Sequence, residues 1–296
     1  MPIGFALVKG LESMQLVPGA QLGSATPPSI YQGNMSANPL TNISTYHGAL
    51  LPKQIYGKNA TLSAQSDLWG MNVAKTFPTV AYTLAVISDS TNDAGAGTGA
   101  QTVLVQFLDA NWNAHTALYT MNGQTAVTVP TQVDGIANAT PQTAIRINGM
   151  EVVTAGTGLA NAGNITANDS TNTYTAGVPV TAAKTFDYMF AGDNVSTPGS
   201  FSVPAGYRFV LMSCIPSFDD ITTTVKYGSA RWAQNVVSGG PMHQHLLGQL
   251  TSQSGTNLIE FEQFPIVEAK CDIKFSGAAS AAAIMSCIAT GMLWQL

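Results

Sequence analysis

The chain has 296 residues, of which 45% are hydrophobic and only 9% charged, and its net charge is −5. That is apolar material for one large or two small all-β domains, with far less charge than the roughly 25% of an average soluble domain. The 11 Lys and Arg are scattered along the chain, which excludes the clustered basic surface that phosphate binding needs, so no nucleic-acid partner is expected. A surface this poor in charge suits a protein packed against others.

Residues 1–67 read as an extended N-terminal arm. No charged residue lies between Glu12 and Lys53, and prolines at 18, 27, 28, 39 and 52 interrupt any regular element. The apolar pieces, Ile3 to Val8, Leu16-Val17 and Leu50-Leu51, are spaced too irregularly for a helix. An arm without a core of its own becomes ordered only by contact, with its own body or with neighbours. MPIGFALVKG lacks the basic n-region of a secretory signal.

The body, 68–296, begins at Leu68-Trp69. Val80 to Ser88 reads as a strand, and Asp89 to Ala100 as a loop of small, turn-forming residues. Thr102 to Val129 reads as three consecutive strands. Val103, Val105 and Phe107 share one face of the first, since side chains alternate with a period of two. Asp109 to Asn113 is a turn cluster. Asn122-Gly123, which tolerates positive φ, predicts a hairpin into a third strand at Thr125 to Val129. Ala144 to Thr154 reads as a strand with a bulge at Gly149. A division into two sub-sandwiches is expected near residue 184.

Further strands are expected at Phe186 to Phe190, in Phe201 to Ser213 after a Pro-Ala-Gly turn, at Ile221 to Gly228, Arg231 to Val237, Leu258 to Phe264 and Val267 to Phe275. Gly277 to Leu296 is uncharged, but Ser280, Ser286, Thr290 and Gly291 interrupt it. A spanning helix needs about 20 mostly apolar residues, so this end reads as buried strand and no membrane partner is expected. Many short strands separated by turn chemistry indicate an all-β sandwich or barrel.

Chemistry is sparse. His243-Gln244-His245 has metal-ligand spacing, because i and i+2 on a strand share a face. The glutamate and later histidine of a cupin are missing, which leaves a structural ion on a symmetry axis or two loop histidines. Asp219-Asp220 and Asp89/Asp93 lack the density of a calcium loop and read as turn residues. Glu260 and Glu262 mark the exposed side of a strand. Trp69, Trp112, Trp232 and the nine Tyr could stack sugars, or fill the core or a subunit contact. Cys214, Cys271 and Cys287 read as buried thiols, and no CxxC pair is present. No catalytic residue, cofactor or metal is assigned.

Five segments carry a resemblance: the Asp109-Ala110-Asn111-Trp112 turn with its Asn-Gly dipeptide, Arg146-Ile147-Asn148-Gly149, Gly163-Asn164-Ile165-Thr166-Ala167, Val203-Pro204-Ala205-Gly206, and Asp272-Ile273-Lys274 following Phe264-Pro265. Over about residues 80 to 290 the chain resembles the virion structural proteins of tailed bacteriophages, especially those of aquatic bacteria. The resemblance implies a jelly-roll-like antiparallel β-sandwich with an extended N-terminal arm, located in the virion. Its motifs are turns and strands and imply no active site. The expected role is a non-enzymatic capsid decoration or cement protein. It would act as a homo-oligomer, a trimer, on the major capsid protein or other virion proteins, with its arm draped over neighbouring subunits. The alternatives are a tail or fibre module binding host glycans through loops such as Asp89–Gly99 and Asn161–Gly177, and a jelly-roll major capsid protein.

Overall fold

The structure is a computed structural model that describes residues 50–296, apart from 63, 72, 219–225, 252–257 and 262. The expected arm therefore lies, up to residue 49, outside the described residues. So do Asp219-Asp220, Glu262 and most of the strand expected at Ile221 to Gly228.

Among the described residues the fold is all-β, with antiparallel strand pairing, as expected. The first half supplies β1 (Leu50–Leu62), β2 (Ser66–Asp67), β3 (Tyr82–Ser88), β4 (Ala100–Leu108), β5 (Ala114–Thr120), β6 (Gln132–Val133), β7 (Ile136–Ala137), β8 (Thr143–Ala144), β9 (Arg146–Ala155), β10 (Ile165–Asp169), β11 (Tyr174–Thr175), β12 (Val178–Pro179) and β13 (Thr185–Met189). The second supplies β14 (Ser200–Ser202), β15 (Tyr207–Phe218), β16 (Tyr227–Gln234), β17 (His243–Thr251), β18 (Ile259–Glu260), β19 (Ile266–Val267), β20 (Asp272–Ala279) and β21 (Ala283–Gln295).

These strands make two sandwiches. In the first, a sheet ordered β13-β10-β3-β8 packs on one ordered β7-β6-β5-β4-β9. Leu84, Val86 and Ile165 from one sheet meet Val103, Val105, Phe107 and Tyr119 from the other in a common core. In the second, β1-β21-β15-β18 packs on β14-β20-β16-β17 around Phe201, Phe209, Phe275, Met285 and Leu293.

Residues 50–67, read from sequence as part of the arm, contribute strands to the second sandwich. Leu50–Leu62 is a thirteen-residue strand paired along β21, from Leu50 opposite Trp294 to Leu62 opposite Ala283. Its Ile55 and Leu62 belong to the second core, as does Leu68. Pro52 does not break it, because an edge position tolerates a missing N–H. A truncation that spares the fold must therefore stop before Leu50. The second sandwich is thus discontinuous in sequence, with the first inserted between β2 and β14. The boundary expected near 184 falls beside β13, which pairs with β10 inside the first sandwich.

The predicted meander is two strands rather than three. β4 pairs with β5 from Thr102–Thr120 to Leu108–Ala114. After Asn122-Gly123 the chain crosses to the other sheet, where Val127 bridges Val86 of β3. Gly123 has the expected positive φ of 58°, but its N–H bonds the Asp93 carbonyl at 2.7 Å instead of closing a hairpin. A loop distant in sequence has captured the turn.

Candidate functional site

Six of the chain's few charged residues lie in its interior. Asp67, Lys75, Asp93, Arg146, Asp187 and Asp272 are all buried. Burying a charge is costly unless it is paired and hydrogen-bonded, so each needs a reason.

Four of the five resemblance segments meet where the two sandwiches join. Arg146, the first residue of β9, places Nε 2.7 Å from Asp272 Oδ1 and Nη2 2.9 Å from Oδ2, a bidentate pair across the joint. The side chains are only 4% and 1% exposed. The guanidinium lies over the Trp112 ring, 4.7 Å from its centroid, and near that of Phe77 at 5.3 Å. Its Nη1 donates to the carbonyls of Ile145 and Pro78. Asp272 also accepts from the Ser202 hydroxyl at 2.6 Å, and its N–H donates to Asn235 Oδ1 at 2.7 Å. Two residues along β9, Asn148 exchanges reciprocal 2.9 Å bonds with the backbone of Ser202 in β14. The Ala205 N–H donates to the Trp112 carbonyl at 2.9 Å, so the Val-Pro-Ala-Gly turn docks on the Asp-Ala-Asn-Trp turn. Trp112 reaches this place with φ of 70°, an uncommon conformation for a bulky residue.

A second buried group sits beside the joint. Lys274 Nζ bonds Asp67 Oδ2 at 2.8 Å, and the same oxygen accepts the Lys75 N–H at 2.6 Å. Lys75 Nζ donates to the Pro198 carbonyl at 2.8 Å and lies over the Trp69 ring. Burial pushes the Lys75 amine down to about 8, against the attraction of Asp187 and Asp67. Lys53 is likewise lowered to about 8 by burial. Burial raises the Asp187 carboxyl to about 6, opposed by Lys75 and by hydrogen bonds from Ser196 and Tyr188. Its Oδ2 has no hydrogen-bond partner among the described residues.

A raised carboxylate has a pH consequence. Below the unfolded value near 4, both states are protonated and Asp187 contributes nothing. Between about 4 and 6 the unfolded chain ionises while the folded chain does not, so stability falls as pH rises. Two units correspond to about 3 kcal/mol. Urea midpoints of the wild type should decline across this window, and Asp187→Asn should remove most of the decline.

Asp93 belongs to a third arrangement, in the loops at the far end of the first sandwich. It is fully buried. Oδ1 accepts the N–H groups of Ala100 (2.7 Å) and Ala162 (2.8 Å), and Oδ2 accepts Gly163 N–H (2.9 Å) and the Ser88 hydroxyl (2.6 Å). Asp89 binds the backbone and side-chain amides of Asn164 at 2.8 and 2.7 Å. A Cβ on Gly163 would stand 2.2 Å from Asp89 Oδ1, so only glycine admits that carboxylate. The loops Asp89–Gly99 and Asn161–Gly177, named from sequence as loops of a glycan-binding alternative, are stapled together by these two aspartates.

The other sequence candidates fall apart from one another. His243 and His245 lie exposed on β17, opposite Gln234 and Trp232. The His245 ring is stacked on Trp232 at 4.3 Å and 15°. Among the described residues, no group of three or more His, Cys, Asp or Glu is placed to hold a metal. Glu260 is exposed on β18. Trp69, Trp112 and Trp232 are 1%, 6% and 4% exposed, so none is a sugar-stacking platform. The exposed tryptophan is Trp294, at 47%. All three cysteines are buried and free. A hydrogen bond with Cys287, together with burial, pushes the Cys214 thiol up, which suits inert core residues.

Sequence reasoning missed Asp93, Arg146 and Asp272 as structural centres. The usable signal was Gly density around Asp93 and an Arg and an Asp each opening a strand immediately before an isoleucine.

No family profile and no curated protein matches the chain. A search of solved structures returned the VP2 subviral particle of infectious bursal disease virus, 8% identical, over 84% of this chain and 76% of that one, at a TM-score of 0.15. A superposition that loose establishes no shared fold.

Proposed function

We propose that this chain is a non-enzymatic structural protein of a bacteriophage virion, one that decorates and cements the capsid as a homo-oligomer, a trimer, in contact with the major capsid protein. The observation that carries the reading is the scarcity of charge. Only 27 residues are Asp, Glu, Lys or Arg, and among the described residues six of these are buried. The exterior therefore carries few charges for its size. Permanent interfaces, which bury upwards of roughly 2,000 Å², are mostly apolar.

The edge strand β17 supports the same reading. It forms one end of its sheet, and no charged residue lies between Arg231 and Glu260. Natural edges exposed to solvent are usually blunted by lysine or proline, and β17 has neither, while its Leu246 is 61% exposed. The resemblance segments fit a structural role too, since four of them build the joint between the sandwiches. The glycan-binding alternative has lost its stacking tryptophans.

Imaging of intact particles tests the proposal. The expected result is density for this chain on the capsid exterior, in many copies at symmetry-related positions. Absence from purified particles, or confinement to a few copies on the tail, overturns it.

A further inference from the structure

The two histidines with metal-ligand spacing stand on an open sheet edge. β17 ends the sheet order β14-β20-β16-β17, so among the described residues only β16 pairs with it. His243, Gln244, His245 and Leu246 are exposed in succession, which leaves this end of the edge uncovered. Pairing with β16 is regular there, with Gln234 opposite His243 and Trp232 opposite His245. Side chains alternate along a strand, so both imidazoles project from one face. The His245 ring lies flat on Trp232, with 4.3 Å between centroids. Stacking occupies the face of the ring and leaves the nitrogens at its rim. Neither imidazole has a hydrogen bond or ion pair among the described residues.

We propose that His243 and His245 of two copies of this chain hold one divalent cation of the zinc class between their β17 edges. Two imidazoles are half of a tetrahedral set, so the site is incomplete without the second copy. Antiparallel pairing of β17 with itself, about a two-fold axis at Gln244, sets His243 of each copy opposite His245 of the other. Residues directly opposite lie about 5 Å apart and share a face, so the four imidazoles converge. A two-fold contact is self-complementary, and the same register sets Leu246, 61% exposed, opposite Met242 of the second copy. No charged residue lies between Arg231 and Glu260, so the two edges meet without like-charge repulsion. The lack of carboxylates in this segment also favours an imidazole-binding metal over calcium or magnesium. The proposal goes beyond the virion reading and does not rest on it.

Zn²⁺ titrated into the full-length protein tests it, read by light scattering, with Co²⁺ as a spectroscopic probe of geometry. The expected result is a doubling of mass at one Zn²⁺ per two chains, reversed by EDTA, with the intense visible Co²⁺ bands of a tetrahedral site. His243→Ala and His245→Ala should each raise the Zn²⁺ concentration needed for pairing by at least about tenfold, since even a partner of a ligand is worth that much. Leu246→Lys should weaken pairing as well, by setting a charge on each edge. No change in mass, one Zn²⁺ per single chain, weak octahedral Co²⁺ bands, or an undiminished response in any of the three variants would overturn the proposal. None of these results touches the virion reading, which images of intact particles decide.

Discussion

Replacing Asp272 by alanine should cost about 3–5 kcal/mol of folding stability, the usual loss when one partner of a buried ion pair is removed. The magnitude follows from what remains. Arg146 would keep its charge at 4% exposure, between Trp112 and Phe77, with only carbonyls to receive it. The Ser202 hydroxyl would lose its acceptor as well. Urea denaturation of the purified protein reads the effect. The double variant Arg146→Met/Asp272→Leu should be markedly less destabilised than Asp272→Ala, because it leaves no unpaired charge. Equal losses in the two variants would mean that the joint is held by packing and not by this pair. Since the pair ties β9 of the first sandwich to β20 of the second, the single variant should also separate their unfolding into two transitions.

Asp93→Ala should be comparably severe, at about 3–5 kcal/mol. Three buried donors and the part-buried Ala162 N–H lose one acceptor. Each unsatisfied buried group costs about 1–3 kcal/mol, reduced where water enters the space left behind. Asp93→Asn should rescue little. An amide nitrogen in place of one carboxylate oxygen would face N–H and O–H donors with another donor. Hydrogen exchange reports this locally: the amides of Ala100, Ala162 and Gly163 should lose protection in both variants, while β21 amides keep theirs. Unchanged protection in the loops would remove Asp93 from its role as their staple.

The two centres differ in how far the sequence announced them. Asp93 stands in a glycine-rich run that reads as a flexible loop, and nothing local shows that its carboxylate turns inward to a segment 69 or 70 residues away. Arg146 and Asp272 lie 126 residues apart. Each opens a strand that carries a second charge further along, Glu151 in β9 and Lys274 in β20, and a charge in a strand looks the same in sequence whether it faces solvent or a partner. The resemblance segments were legible as turns and strands. Their convergence on one joint was not, because convergence is a property of chain crossings.

The N-terminal boundary shows the same division. LLPKQIYGKNATL contains a proline, two lysines and a glycine, and by local chemistry it belongs to the arm. It becomes a strand because β21 offers it a long uncharged partner to pair with. Likewise, Thr125 to Val129 alternates well enough for a strand, yet Gly123 is held by Asp93 and the chain is sent to the opposite sheet.

What the sequence determined by itself was the class of structure and the poverty of charge. Alternation in β4, the turn at Asp109 to Asn113 and the uncharged C-terminal strand follow from side-chain period and backbone preference, which act over a few residues. Tertiary structure decided where the scarce charges go, which strands pair, and that the first sandwich is inserted into the second. Those outcomes depend on burial and on partners far along the chain, and a carboxylate has no preference for the interior until its donors have been assembled around it.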